Sequence, residues 1–219
     1  MKISKYLHSC LLLEQDGQQL LFDPGKFTFV EGLVKPEVFK SVGAVLITHT
    51  HPDHLDVEAL RQIVALSGAV VISNAEVAAK LKPAGLAVQL LEEGVLQRGA
   101  FKIQALPVRH EAILDSPLPQ MTAFFINDQV LNPADSFAPN LLAFQGVELL
   151  VLPVMAPFLT ELAVAEFGEK MRPRQILPVH DGYAKPFFLR QRYETYQPHF
   201  EKLGIRFHAL LEVGDAVEV

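Results

Sequence analysis

The chain of 219 residues has one cysteine, Cys10, and no tryptophan. A single thiol excludes an intramolecular disulfide and any metal site built from cysteines alone. It matches the usage of a reducing cytosol. Positive charge is also short. The 19 Lys and Arg against 25 Asp and Glu leave a net charge of -6. That balance argues against a broad basic surface, so no nucleic-acid partner is expected. No apolar run approaches the roughly 20 residues needed to cross a bilayer. Leu11-Leu12-Leu13 follows Lys2 and Lys5 but is too short for the apolar stretch of a signal peptide, and Glu14 and Asp16 break it. A cytoplasmic protein without a membrane partner is the expectation. No low-complexity linker divides the chain, so a single domain over residues 1–219 is expected.

Half of the residues are hydrophobic, enough for a sizeable core. They fall into short β-rich runs that alternate with helical stretches. Ile3–Leu13 and Gln19–Phe22 read as a hairpin around Gln15-Asp16-Gly17-Gln18, where Asp-Gly is a strong turn signal. Ala44–Thr48 reads as a buried strand, and Asp56 as the N-cap of a helix to about Leu66. Val70–Ile72 is a strand, and Asn74 opens a helix to Leu81. Strands are expected near Ala87–Leu91, Phe101–Val108, Thr122–Ile126, Gln129–Leu131, Glu148–Val154 and Gln175–Val179. Phe158–Lys170 has helical spacing, which places Leu162, Phe167 and Met171 near one face. Pro186–Leu203 reads as helical with Pro186 in its first turn, and Pro198 is expected to kink or interrupt it. Ile205–Ala209 and Ala216–Val219 close the chain as β-runs. Hairpins followed by alternating elements, twice over, predict an α/β fold of two sheets with helices outside them.

One decapeptide stands out: Ile47-Thr48-His49-Thr50-His51-Pro52-Asp53-His54-Leu55-Asp56. It packs three histidines and an aspartate into six positions directly after an apolar strand. Imidazole and carboxylate are ligands for zinc, iron and manganese. Packing alone explains such a cluster poorly, because buried polar groups need partners. Three further apolar runs also end in a candidate ligand, at His110, Asp135 and His180. Loops at strand ends are where layered α/β proteins build their sites, so one shared site is expected. His49 and His51 share a face if the strand continues, whereas Pro52 breaks it before Asp53 and His54. Two ligands therefore point one way and two another, which suits a pair of metals about 3.5–4 Å apart.

The run His49-Thr50-His51-Pro52-Asp53-His54 resembles the His-x-His-x-Asp-His signature of the metallo-β-lactamase-fold hydrolases. His110, Asp135 and His180 follow in that superfamily's order. His8-Ser9-Cys10, Leu21-Phe22-Asp23-Pro24-Gly25, Thr160-Glu161-Leu162-Ala163 and Ile176-Leu177-Pro178-Val179-His180 resemble its branch of small ascorbate-6-phosphate-lactonase-like hydrolases. The resemblance covers nearly the whole chain. It implies a four-layer αβ/βα sandwich and two divalent ions, zinc first, with manganese, iron and nickel also accepting such donors. One ion would take His49, His51 and His110, the other Asp53, His54 and His180, with Asp135 bridging them. The resemblance further implies a metal-bridging hydroxide as nucleophile, with Asp53 and His54 catalytic. The bond cleaved would be an ester, lactone or phosphodiester of a small molecule. The alternatives are a phosphodiesterase or nuclease and an iron-dependent redox protein of the same fold. Ala134-Asp135-Ser136 departs from the family's Gly-Asp-Thr/Ser, and alanine adopts a positive φ less readily than glycine.

Other residues stay open at this stage. Asp23 is either simple turn chemistry or an acceptor that orients a ligand histidine. His8 either lines the site or satisfies a strand-end hydrogen bond. Cys10 reads as a small buried residue, and His199 and His208 as structural or solvated. Phe27 and Phe29 fit either a pocket wall or core packing. Arg109 should point away from His110 in an extended strand. Small members of such families often assemble, so a homo-oligomer is an expectation.

Overall fold

A computed structural model describes residues Met1–Val219. The first half carries β1 (Lys2–Lys5), β2 (Leu11–Gln15), β3 (Gln18–Phe22), the short α1 (Lys26–Phe29), β4 (Ala44–Leu46), α2 (Val57–Ser67), β5 (Val70–Ser73), α3 (Ala75–Leu81) and β6 (Val88–Leu90). The second half carries β7 (Gly94–Arg98), β8 (Phe101–Val108), β9 (Met121–Ile126), β10 (Val130–Asn132), β11 (Leu149–Pro153), α4 (Glu161–Met171), β12 (Gln175–Val179), α5 (Pro186–Glu201), β13 (Arg206–Phe207) and β14 (Ala216–Glu218). Two seven-stranded sheets result, in the orders β14-β1-β2-β3-β4-β5-β6 and β13-β12-β11-β10-β9-β8-β7.

Strand alternation explains the four layers. Leu11, Leu13, Leu20 and Leu46 join Leu149 and Val151 in a 19-residue core between the sheets. Their neighbours Leu12, Leu21, Val45 and Ile47 face outward and pack with Leu60 and Ile63 of α2 and Val77 of α3. Leu150 and Leu152 likewise face Val164 and Phe167 of α4 and Tyr196 and Phe200 of α5. Both faces of each sheet are therefore covered, which is why β4 and β11 read as unbroken apolar runs. The expected αβ/βα sandwich is the observed architecture.

Local chemistry sets most boundaries. Asp16 and Gly17, at φ 51° and 72°, form the tight turn between β2 and β3. The Asp56 carboxylate accepts from Glu58 N and Ala59 N and starts α2, and Asn74 caps α3 through Val77 N. Asn127 and Asp128, both at positive φ, turn β9 into β10.

The structure departs from the sequence expectation in four places. Ile3–Leu13 is two strands, because Leu7 and His8 turn left-handed at φ 65° and 53° and reverse the chain. Strand β7 was not foreseen, since Gly94–Arg98 lies at a sheet edge with most of its side chains exposed. Leu162 is 81% exposed. It sits five positions before Phe167, about 140° around a helix, and so misses the face shared by Phe167 and Met171. Pro198 does not end α5, which runs on for three more residues to Glu201, although it removes the bond that an N–H there would give to Glu194 O.

A buried ionic tether joins the first and last parts of the chain. Lys5 Nζ of β1 donates to Asp181 Oδ2 at 2.6 Å and to the Tyr193 hydroxyl of α5 at 2.8 Å. Tyr193 Oη also donates to Asp181 Oδ2. Removing one member strands a buried charge, at a cost of roughly 3–5 kcal/mol. Lys5→Met is therefore expected to lower the Tm by about 6–20 °C. The double variant Lys5→Met/Asp181→Leu should recover much of that loss. Calorimetric melts of the three proteins check this, and a single variant that melts like the native chain would rule the tether out.

Candidate metal centre

The site lies where the two sheets meet at one end. Strand β4 delivers His49 and then His51, Asp53 and His54, while β8, β10 and β12 deliver His110, Asp135 and His180. Thr122 N of β9 donates to Thr48 O and stitches the sheets together beside it. The side chains form two groups whose candidate ligand atoms lie within 4.8 Å of one another. One group is His49, His51, His110 and Asp135; the other is His8, Asp53, His54 and His180.

Hydrogen bonds fix which imidazole nitrogen faces the centre. His54 Nδ1–H donates to Asp23 Oδ2 at 2.9 Å. His110 Nδ1–H donates to Glu111 O at 2.6 Å, and His180 Nδ1–H to Met155 O at 2.5 Å. The Thr48 hydroxyl donates to Asp23 Oδ2 at 2.8 Å, which leaves its oxygen to accept from His49 Nδ1–H at 2.9 Å. Four Nε2 atoms thus point inward, the atoms a metal would take. His54 Nε2 and His110 Nε2 are buried with no hydrogen-bond partner at all. Such orphaned buried acceptors are costly unless something else binds them.

The donor separations fit cations. Ligands held tetrahedrally at about 2.0–2.1 Å sit roughly 3.3 Å from one another. Asp135 Oδ2 lies 3.2 Å from His180 Nε2, 3.3 Å from His54 Nε2, 3.4 Å from His110 Nε2 and 3.7 Å from His49 Nε2. It therefore touches both groups. Asp53 Oδ2 lies 3.3 Å from His180 Nε2 and 3.9 Å from His54 Nε2.

Electrostatics point the same way. Burial, with neighbouring imidazoles, holds the pKa of His49 and His51 below normal, so both stay neutral. Burial also opposes charge on His54 and His180, but Asp135 outweighs it. Their values rise, His180 to about 9. Burial would raise Asp135, yet His180 and His54 hold it well below the usual carboxylate range. Buried carboxylates here attract positive charge, which divalent ions supply.

Asp23 and His8 now have definite places. Asp23 accepts from Thr48 N, Thr48 Oγ1 and His54 Nδ1, so it orients a histidine rather than merely shaping a turn. Gly182 N–H donates to His8 Nδ1 at 3.1 Å. His8 is neutral, its pKa lowered to about 4 by burial, so its proton sits on Nε2 and is given to Asp53 Oδ2 at 3.1 Å. His8 positions Asp53 rather than offering a lone pair. Ala134 takes φ 54°, the left-handed conformation that glycine would adopt more easily. Phe27 packs its edge against His8, whereas Phe29 packs on Phe39 in the outer core. Arg109 is exposed and turned away, and Cys10 is buried. His199 pairs with Glu169 and His208 with Gln175, both away from the centre.

Several supporting residues gave no sequence signal. Glu76 accepts from Thr50 Oγ1 at 2.7 Å and from Gln120 N at 2.6 Å, while Lys80 donates to Thr50 O. Asn74, foreseen only as a helix cap, also donates to Thr48 O. Together they clamp the His49–His51 loop. Only the spacing of four between Glu76 and Lys80 along α3 hinted at a shared face.

Residues 2–180 match the family model described as a β-lactamase superfamily domain. The chain belongs to that family. This β-lactamase-superfamily chain is 28% identical over 194 residues to protein Rv0786c of Mycobacterium tuberculosis, spanning 85% of this chain and 86% of that one. A UPF0173 metal-dependent hydrolase of Pyrobaculum arsenaticum is 24% identical over 236 residues and 100% of both chains. The metallo-β-lactamase fold protein YhfI of Bacillus subtilis superposes with a TM-score of 0.71 at 17% identity, over 99% of this chain and 98% of that one. No helix here is long and apolar enough to cross a membrane.

Two substitutions test how the ligands are held. Partners behind a metal ligand typically contribute 10–100-fold in affinity. Asp23→Ala is expected to weaken metal binding by about that much, read by calorimetric titration of the metal-free protein. A Cβ on Gly25 would fall 1.8 Å from Asp53 O. Gly25→Ala should therefore displace the Asp53–His54 segment and reduce the bound metal. Full metal content in that variant would show that the close approach does not matter.

Proposed function

We propose that the chain is a metal-dependent hydrolase with two divalent cations, which cleaves an ester, lactone or phosphodiester bond in a small molecule. The observation that carries this reading is Asp135 Oδ2, which faces imidazole nitrogens of both groups within 3.7 Å. Zinc is the first candidate, held by His49, His51 and His110 on one side, by Asp53, His54 and His180 on the other, and by Asp135 between.

When bound, such ions polarise a carbonyl or phosphoryl oxygen and make water acidic enough to attack near pH 7. The protein's own groups do the rest. Asp53 is the ligand carboxylate most open to solvent, its side chain 21% exposed against 3% for Asp135. It also lines the cavity above the site, so it is placed to accept the proton of an attacking water. His8 fixes one Asp53 oxygen and leaves the other free. His54, buried and held by Asp23, keeps its Nε2 aimed at the centre.

Elemental analysis of freshly purified protein is expected to find two ions per chain. His54→Ala should leave about one, and Asp135→Ala should lose both, with kcat/KM on a cleaved substrate down roughly 100-fold or more. Two ions retained by Asp135→Ala would refute the shared-carboxylate assignment. Chelation should abolish hydrolysis and lower the Tm, because ligands bound only by the folded state stabilise it. A metal-loaded protein that cleaves no member of a panel of lactones, esters, thioesters and phosphodiesters would remove the hydrolase reading.

A further inference from the structure

A cavity of about 620 Å³ opens over Asp53 and His180. Its remaining lining is Phe27, Pro52, Ala156, Pro157, Tyr183 and a single cation, Lys26. Phe27 and Tyr183 meet edge to face with centroids 5.8 Å apart. Phe158 stands beside the histidines, its ring 5.2 Å from that of His110 and 6.0 Å from that of His180. Beyond the metal ligands and Lys26, the lining is thus two aromatic rings, two prolines and an alanine.

What this lining omits is equally specific. Phosphate groups are typically gripped by a planar Arg fork or by several convergent donors. No arginine lines this cavity, and Lys26 is half of a grip at most. A volume within the range of small-ligand pockets, apolar with one or two polar groups, suits a compact organic body.

We propose that this cavity selects carboxylic esters or lactones whose body is an apolar ring or short alkyl chain, and disfavours phosphorylated ones. The proposal rests on the hydrolase reading and narrows its substrate class. In the reaction, water oxygen bonds to the carbonyl carbon and the carbon–oxygen bond to the leaving group breaks. One proton of water ends on the leaving oxygen and the other passes through Asp53 to solvent. No oxidant or reductant is needed. The ring or chain packs against Phe27 and Tyr183, and Lys26 accommodates one negative charge at the rim.

The test separates the pocket from the chemistry. Product-like acids are titrated into metal-loaded protein in matched pairs: phenylacetate against acetate, and 6-phosphogluconate against gluconate. Each pair brings the same carboxylate to the metals, so the difference reports the cavity. Phenylacetate is expected to bind at least tenfold tighter than acetate, while the phosphate should bring no gain. Phe27→Ala, and separately the more exposed Tyr183→Ala, should erase most of the phenyl advantage with metal content unchanged. A phosphate gain larger than the phenyl gain, or a phenyl gain untouched by both variants, overturns the proposal. Turnover is then measured on δ-nonalactone, phenyl acetate and 6-phosphoglucono-δ-lactone. The alkyl or phenyl probe should exceed the phosphorylated one at least tenfold in kcat/KM, and the reverse order also overturns the proposal. A protein that shows the phenyl preference in binding yet cleaves nothing retains the pocket assignment and loses the hydrolase reading.

Discussion

Everything near the centre is arranged around one carboxylate oxygen. Asp135 Oδ2 is buried at the meeting of the two sheets with imidazoles from four different positions around it. A buried anion is expensive unless opposite charge is close. Three facts follow from that requirement. The histidines cluster there, their outer nitrogens are committed to Asp23, Thr48 and two carbonyls, and their inner nitrogens face the carboxylate. The fold builds a buried cup of carboxylates and imidazoles, in which a divalent ion would replace the protons that Asp135 otherwise holds on His54 and His180.

The backbone bears a cost for this cup. Leu7, His8, Asp23, Ala134 and His180 all take left-handed conformations, and all flank the site. Non-glycine residues so placed cost of order 1–3 kcal/mol each. Neighbouring segments hold them in place. His180 N donates to His8 O, Gly182 leaves no room between itself and His8, and Lys26 N donates to Pro52 O. The two apolar outer cores and the inner core supply the rigidity that keeps these loops from relaxing.

Much of this was legible in the sequence, for identifiable reasons. The His49–His54 run, the Asp-Gly turn and the Asp56 and Asn74 caps are local signals, each carried by side chains acting on backbone within a few residues. Two sheets with helices outside them followed from strand runs that are apolar on both faces, and the four-layer αβ/βα sandwich from the family resemblance. The failures were non-local. The break at Leu7-His8 has no glycine or proline to mark it, because it is imposed by His180 and Gly182 from the far end of the chain. The tether of Lys5 to Asp181 and the clamp of Glu76 on Thr50 join residues whose types say nothing until the fold pairs them. Leu162 misled because its spacing of five from Phe167 was read as one face, whereas it sits about 140° around α4.

The seam between the sheets has one more implication. The first half of the chain supplies His49, His51, Asp53 and His54, and the second half supplies His110, Asp135 and His180. Ions held there link positions far apart in sequence, so they act on the chain as a cross-link does. Closing a long loop in this way removes conformational freedom from the unfolded chain, as a disulfide would. A protein with one buried thiol has no covalent staple to offer. The same inorganic ions that serve the chemistry would then double as its stitching, and holding two half-sandwiches in register would depend on metal supply.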